Sequence, residues 1–238
     1  ASTLAVMSVV SSTLPPSGIR VNCHAVPHRP RRCAKAPDAP AAPAHKLIGR
    51  LENATNTCRV ADRVDKYVIM KDGKVVLEKY ALGRKPTDRW TSFSVAKSVT
   101  ATLIGGAVKD GYISSIYDPI TKYIPELEGS VYDGVSLRRL MTMTTGVKWN
   151  EDYANPKSDV SQAGFAPWKG GVNPLVSYMA KLKREAAPGT KWVYKTGETD
   201  LAGIALAKAL GGKSIAQYAS EKLWAPYGME QDAIWMVD

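Results

Sequence analysis

The sequence predicts an α/β (α+β) fold, a mostly helical body with a β-hairpin at its front. Two observations carry this reading. Two short β-prone runs, Tyr67–Met70 and Lys74–Tyr80, flank Lys71-Asp72-Gly73, and such runs around Asp-Gly are a strong hairpin signal. Downstream the apolar residues keep helical spacing: Val99, Leu103 and Ala107 lie four apart and share one helix face.

The elements follow in order. Residues 1–46 hold seven of the fifteen prolines and an Ala/Pro run from Ala34 to Ala44. Such a segment should not sustain helix or sheet and is expected to be extended or disordered. Its first stretch, Ala1 to Leu14, is small and apolar but lacks a basic n-region, so it reads as a solvated tail rather than an export segment. The compartment, exported or periplasmic against cytoplasmic, stays open. The structured domain spans residues 47–238. A helix is predicted from about Val95 to Lys109, with Gly111 ending it as a C′ glycine. Asp118-Pro119 should open another helix, with Asp as cap and Pro in the first turn. Ser136 caps a short helix through Met143 that stops at Gly146. Pro174–Arg184 is a further helix. Leu201–Leu210 and Ser214–Leu223 are two more, broken at Gly211-Gly212. No internal repeat is visible.

Composition narrows the function classes. Of 238 residues, 45% are hydrophobic and 23% charged, as expected for a chain with a buried core. No run of eighteen apolar residues suggests a membrane span. The net charge is +10, but Arg20, Arg29, Arg31, Arg32, Lys35, Lys46 and Arg50 against Asp38 supply +6 of it. The charge therefore does not mark the whole protein as a nucleic-acid binder, and the basic segment lacks interleaved aromatics. Cys23, Cys33 and Cys58 allow at most one disulfide with a thiol left over. The body of the chain has no cysteine and does not depend on one.

Several chemistries are disfavoured. There is no Gly-x-Ser-x-Gly elbow, no His-Glu-x-x-His and no Gly-x-Gly-x-x-Gly. Gly212-Lys213-Ser214 lacks the earlier glycine of a phosphate loop, since Ala207 stands there. His24, His28 and His45 all lie in the Pro-rich tail, so a Ser-His-Asp triad would need that tail in the active site. Cys23, His24, His28 and Cys33 lack the tight paired spacing usual for zinc. What remains is Ser94-Val95-Ala96-Lys97. Positions i and i+3 of a helix share a face, so hydroxyl and amine can meet. Ser94 would sit at a helix N-terminus, where orphan N–H groups favour an oxyanion. A desolvated lysine can accept a proton from serine. Alone, Ser-x-x-Lys is a weak signal, equally readable as a helix cap followed by a solvated lysine. The apolar helix behind it and the hairpin in front strengthen it.

Four segments extend the pattern. Phe93-Ser94-Val95-Ala96-Lys97-Ser98 resembles the nucleophile motif of the serine β-lactamase-like hydrolases. Leu140-Met141-Thr142-Met143-Thr144-Thr145-Gly146, Pro188-Gly189-Thr190-Lys191-Trp192-Val193-Tyr194 and Leu223-Trp224-Ala225-Pro226-Tyr227-Gly228-Met229 resemble later segments of that superfamily, in its order. The nearest subgroup is that of 6-aminohexanoate-dimer hydrolases, family VIII carboxylesterases and class C β-lactamases. Glu151-Asp152-Tyr153-Ala154-Asn155-Pro156 is similar to the acidic-tyrosine loop of the first. The resemblance implies a β-lactamase/transpeptidase-like fold, an antiparallel sheet flanked by helices plus a helical subdomain. It implies Ser94 as acyl-forming nucleophile, Lys97 as its proton partner and Tyr194 as general acid/base. Tyr153 and Thr196 would bind substrate, and no metal or cofactor is needed.

Two departures shape the expectation. Class C β-lactamases carry Tyr-x-Asn where this chain has Tyr194-Lys195-Thr196. A threonine hydroxyl cannot mimic an amide's paired donor and acceptor, which points away from β-lactams and towards esters or small amides. Family members also continue past the position matching Asp238, into the remaining strands and a third motif. That strand supplies one oxyanion donor, worth about 2.7–4 kcal/mol, so the domain reads as incomplete at its C-terminus. The hairpin would then present an unpaired edge that invites association, and a dimer stays open. The expected partner is a small ester or amide substrate, with no nucleic acid and no membrane. The rivals are a β-lactamase or DD-peptidase, and an inactive ligand-binding homologue or fragment.

Overall fold

A computed structural model describes residues 18–21, 66–71, 74–80, 83–88, 91–164 and 171–236. In chain order its elements are β1 (Gly18–Val21), β2 (Lys66–Lys71), β3 (Lys74–Tyr80), α1 (Ala96–Lys109), α2 (Leu137–Met141), α3 (Asp159–Gly164), α4 (Pro174–Met179), α5 (Thr196–Ala209), α6 (Ile215–Ala219) and β4 (Ala233–Met236). The chain forms two compact units, residues 26–90, and residues 1–25 with 91–238.

The smaller unit holds the expected hairpin. β2 and β3 pair antiparallel, with Tyr67 opposite Lys79 and Ile69 opposite Leu77, and a register shift falls between Ile69 and Met70. The turn residues Asp72 and Gly73 lie outside the described residues.

The larger unit is helical and built around α5, which packs against α1, α2, α3 and α4. Val99, Leu103, Ile104 and Ala107 of α1 are buried, as are Leu201, Ala202, Ala205 and Leu206 of α5. Each fully buried Leu or Ile contributes about 1.5–3 kcal/mol relative to exposure. Small residues permit the close approach. A Cβ on Gly197 would meet Met179 Sδ at 2.8 Å and the Trp149 ring at 2.9 Å. In the same unit β1 pairs antiparallel with β4, Ile19 opposite Trp235. Among the described residues the strands form two separate two-stranded antiparallel sheets, β2–β3 in the smaller unit and β1–β4 in the larger.

Several elements differ from the sequence expectation. Four residues of the Pro-rich segment form a strand: Gly18-Ile19-Arg20-Val21 lies between Pro16 and Pro27 and keeps all its N–H groups. Asp118-Pro119 opens only a 3₁₀ turn, Ile120–Lys122. The Asp118 carboxylate there accepts from Ser115 N–H at 3.1 Å, Lys122 at 3.0 Å and the Tyr123 hydroxyl at 2.5 Å. α4 stops at Met179 instead of Arg184 because the chain turns to bridge Val147. Lys148 N–H donates to Lys183 O and Glu185 N–H to Gly146 O, each at 2.8 Å. α5 begins at Thr196, five residues before Leu201. α6 ends at Ala219 and passes into a π turn, Ser220–Trp224. Gly111, with φ +82, follows α1 as the C′ glycine the sequence marks.

Candidate active site

The site begins at a backbone outlier. Phe93 has φ +42, a region unfavourable for a bulky side chain. It sits immediately before Ser94 in a 3₁₀ turn, Phe93–Val95, that runs straight into α1. The turn leaves Ser94 exposed, while Lys97 one turn on is half-buried. Lys97 Nζ lies in hydrogen-bond contact with Ser94 Oγ at 3.1 Å. The buried apolar face of α1 anchors both.

Tyr194 arrives by a different route. Gly189 N–H donates to Thr144 O at 2.6 Å and Val193 N–H to Met143 O at 3.1 Å. The segments 188–194 and 140–146, which the sequence singled out separately, therefore run against each other. Gly189, at φ +89, adopts a backbone conformation that L side chains rarely take, and a Cβ there would lie 2.5 Å from the Arg139 guanidinium, which would have to swing aside. This pairing carries Tyr194 to Lys97, whose Nζ is 5.2 Å from the centre of the Tyr194 ring. Lys97 Nζ thus lies near both Ser94 Oγ and the Tyr194 ring.

Beside them opens a cleft of about 520 Å³, lined by Ser94, Lys97, Tyr153, Thr196, Asp200 and Trp235 among others. That is the size of a small-molecule site. Tyr194 does not line it. Tyr153 and Thr196, both expected to bind substrate, face the cleft with their hydroxyl oxygens 3.1 Å apart.

Sequence reasoning gave no role to Glu151, which ties these hydroxyls together. Its Oε1 accepts from Tyr153 Oη at 2.8 Å and from Thr196 Oγ1, and its Oε2 accepts from Thr196 N–H at 3.0 Å and from Trp149 Nε1. Lys195, the N-cap of α5, makes no side-chain cap. Glu151 supplies the missing acceptor from outside the helix. Burial pushes the Glu151 carboxyl up, but bonds from the Thr196 hydroxyl and main chain, Trp149 and Tyr153 outweigh it and hold the group below the ordinary carboxylate range. The alternation Trp149, Glu151, Tyr153 was the available signal.

A second unforeseen cluster starts at the residue after Tyr194. Lys195 and Glu198 are fully buried, with Lys195 Nζ 3.6 Å from Glu198 Oε1. The same oxygen accepts from the Thr145 hydroxyl and, at 3.4 Å, from the Tyr132 hydroxyl, both buried. Glu198 Oε2 has no hydrogen-bond partner among the described residues. Among the described residues no group of three or more His, Cys, Asp or Glu could hold a metal ion. Cys23, His24, His28 and Cys33 lie outside them. No helix among the described residues is long and apolar enough to cross a membrane.

Comparison with known proteins agrees with this architecture. The family model described as Beta-lactamase matches residues 62–236. The chain belongs to the beta-lactamase family. It is 30% identical over 210 residues to the 6-aminohexanoate-dimer hydrolase of Paenarthrobacter ureafaciens, covering 84% of this chain and 53% of that protein. It is 29% identical over 153 residues to a beta-lactamase of Pseudomonas fluorescens, covering 60% of this chain and 38% of that protein. The chain thus spans about half the length of the first relative and less of the second. Among solved structures, a candidate 6-aminohexanoate-dimer hydrolase from Bacillus anthracis superposes with a TM-score of 0.62 at 26% identity, over 75% of this chain and 49% of that one. A class C beta-lactamase in complex with cefoxitin gives a TM-score of 0.52 at 24% identity, over 76% of this chain and 49% of that one, a likeness of fold. These neighbours assign the domain a β-lactamase/transpeptidase-like fold.

Proposed function

We propose that this chain carries the nucleophilic centre of a serine hydrolase that cleaves ester or amide bonds of small substrates through an acyl-enzyme on Ser94. The observation that supports it best is the contact of Lys97 Nζ with Ser94 Oγ, 3.1 Å, at the edge of an open cleft. Lys97 takes the Ser94 proton as Oγ bonds to the substrate carbonyl carbon. The tetrahedral intermediate collapses, the C–O or C–N bond to the leaving group breaks, and a proton passes to the departing atom from Lys97 or from Tyr194 beside it. Water oxygen then bonds to the acyl carbon as its proton passes to the same pair, the bond from Ser94 Oγ to that carbon breaks, Oγ takes the proton back, and the acid leaves. Every proton moves within the three side chains, so the cycle needs no cofactor.

Within that class we favour linear esters and small amides over β-lactams. Thr196 stands where class C β-lactamases have an asparagine, and its hydroxyl proton is held by Glu151. The 6-aminohexanoate-dimer hydrolase relative supports the same choice.

The test is labelling and turnover of the purified chain. A fluorophosphonate should modify Ser94, and p-nitrophenyl butyrate should be hydrolysed. Both signals should vanish in Ser94→Ala. Nitrocefin should be turned over poorly. An unlabelled Ser94 in the folded protein overturns the proposal, and fast nitrocefin turnover overturns the substrate preference.

A further inference from the structure

Both chain neighbours of Tyr194 are tied to Met143. Val193 N–H donates to Met143 O at 3.1 Å, and Lys195 N–H donates to Met143 Sδ at 3.5 Å. Met143 holds both from φ +54, a conformation that non-glycine residues adopt at a cost. The Lys195 side chain then folds back along the chain. Its Nζ lies 3.3 Å from Val193 O and 3.6 Å from Glu198 Oε1. Val193 O belongs to the planar peptide that joins Val193 to Tyr194, so the ammonium holds that plane. The plane governs the direction in which Tyr194 leaves the main chain, and the ring reached from it is centred 5.2 Å from Lys97 Nζ.

This is a costly way to hold a fold. Lys195 and Glu198 have no exposed surface, and the attraction of a buried pair often fails to offset the removal of both charges from water. Two apolar side chains of the same volume would fill the space as well. What a charge pair adds is direction, because an ammonium needs acceptors at defined positions. Here they are Val193 O and a carboxylate oxygen that also accepts from the Thr145 and Tyr132 hydroxyls. Thr145 stands two residues beyond Met143. The segment that holds the main chain beside Tyr194 therefore also holds the carboxylate that fixes the cation.

We infer that Lys195 and Glu198 are positioning residues for Tyr194: the buried pair clamps the Val193–Tyr194 peptide so that the phenol is presented to Lys97. This rests on the reading of Tyr194 as a proton carrier for the Ser94 centre and deepens it. Neither residue touches the cleft, so the pair acts on the rate through Tyr194 alone.

The test replaces both charges together with Lys195→Met/Glu198→Gln, which leaves no unpaired ion. In tyrosine-labelled protein the Tyr194 ring signal, assigned by its loss in Tyr194→Phe, should show an NMR cross-relaxation peak to the Lys97 methylenes. The folded double variant should lose that peak. Its kcat for p-nitrophenyl butyrate should fall by about tenfold to a hundredfold, the scale of a misplacement near 1 Å, with KM within about twofold. Adding the same two substitutions to Tyr194→Phe should change kcat by less than about twofold, since residues acting through one group are not additive. A loss from general weakening of the fold would instead repeat in that background, and such a result overturns the inference. So does a cross-relaxation peak that survives in the folded variant or is missing from the wild type. If the double variant does not fold, Glu198→Gln alone carries the comparison, because its amide oxygen still accepts from both hydroxyls while the charge is gone. Absence of turnover in the wild type counts against the hydrolase proposal, and the ring contact still decides this inference.

Discussion

The Lys195 ammonium sits 3.6 Å from the Glu198 carboxylate, and neither side chain has exposed surface. Lys195 directly follows Tyr194, and Glu198 ties the first turn of α5 to other segments by accepting from the Thr145 and Tyr132 hydroxyls. Burial pushes the Glu198 carboxyl up to about 7, against the pull of Thr145, Lys195 and Tyr132, from an ordinary value of 4.5. Below about pH 4.5 the group is protonated both folded and unfolded. Between 4.5 and 7 the unfolded chain ionises while the folded one resists, so rising pH favours unfolding. Above 7 that penalty is constant. Melting temperature should therefore fall across this window in the wild type relative to Glu198→Gln. A difference between the two proteins that is flat from pH 4.5 to 8 would contradict the assignment.

Removing the cation should reveal the same coupling. Lys195→Met leaves Glu198 facing only two hydroxyls, and breaking a buried pair on one side costs about 3–5 kcal/mol. The loss should be largest at pH 8 and smaller at pH 5.5, where Glu198 takes up a proton. Urea unfolding at the two pH values measures it, and an equal loss at both would show that the pair is not electrostatically coupled.

Gly146 should tolerate no side chain. Its φ is +76, and a Cβ there would lie 2.0 Å from the Ala186 carbonyl oxygen. Gly146 O also accepts from the Glu185 and Ala186 N–H groups, so the clash cannot be relieved without losing that bridge. Gly146→Ala should prevent folding or remove several kcal/mol. Gly211→Ala is the control: φ is +60, but nothing lies within 4 Å, so only the backbone cost of about 1–2 kcal/mol applies. Similar urea midpoints for the two variants would refute the steric argument.

Lys97 and Tyr194 should act on rate and little on stability. Lys97 is half-buried near an exposed serine, so Lys97→Met should fold normally and slow fluorophosphonate labelling of Ser94 by about 10²–10⁴-fold, the usual worth of a positioned proton acceptor. Tyr194→Phe keeps the ring beside Lys97 and removes the hydroxyl. It should slow p-nitrophenyl butyrate turnover within the same range while leaving the circular dichroism spectrum intact. Unchanged rates in both variants would leave Ser94 without a proton partner.

Much of the site was legible because its signals are local. Ser94 and Lys97 are three residues apart, and helix geometry alone brings such positions together. The apolar spacing of Val99, Leu103 and Ala107 foretold the buried face of α1, and Gly111 its end. Pro174 likewise marked the start of α4, where the structure adds a cap, Asn173 Oδ1 accepting from the Leu175 and Val176 N–H groups. Its end was not legible, since Arg184 leaves the helix to pair with Val147, 37 positions away in sequence numbering (184 − 147). The early start of α5 was hidden for a similar reason. Thr196-Gly197-Glu198 reads as polar and glycine-broken, yet its first N–H is capped by Glu151 and Gly197 is needed for contact with Met179.

By itself the sequence determined the secondary elements with strong periodicity, the glycines that end them, and the serine and lysine that one helical turn must bring together. Those properties depend on neighbours within four residues, where backbone geometry leaves few choices. Only the tertiary structure decided that Glu151 holds Thr196, that Lys195 and Glu198 are buried as a pair, and that Tyr194 comes to rest beside Lys97. Each of these joins parts of the chain through side chains whose partners are selected by packing, and packing is a property of the whole fold rather than of any stretch of it.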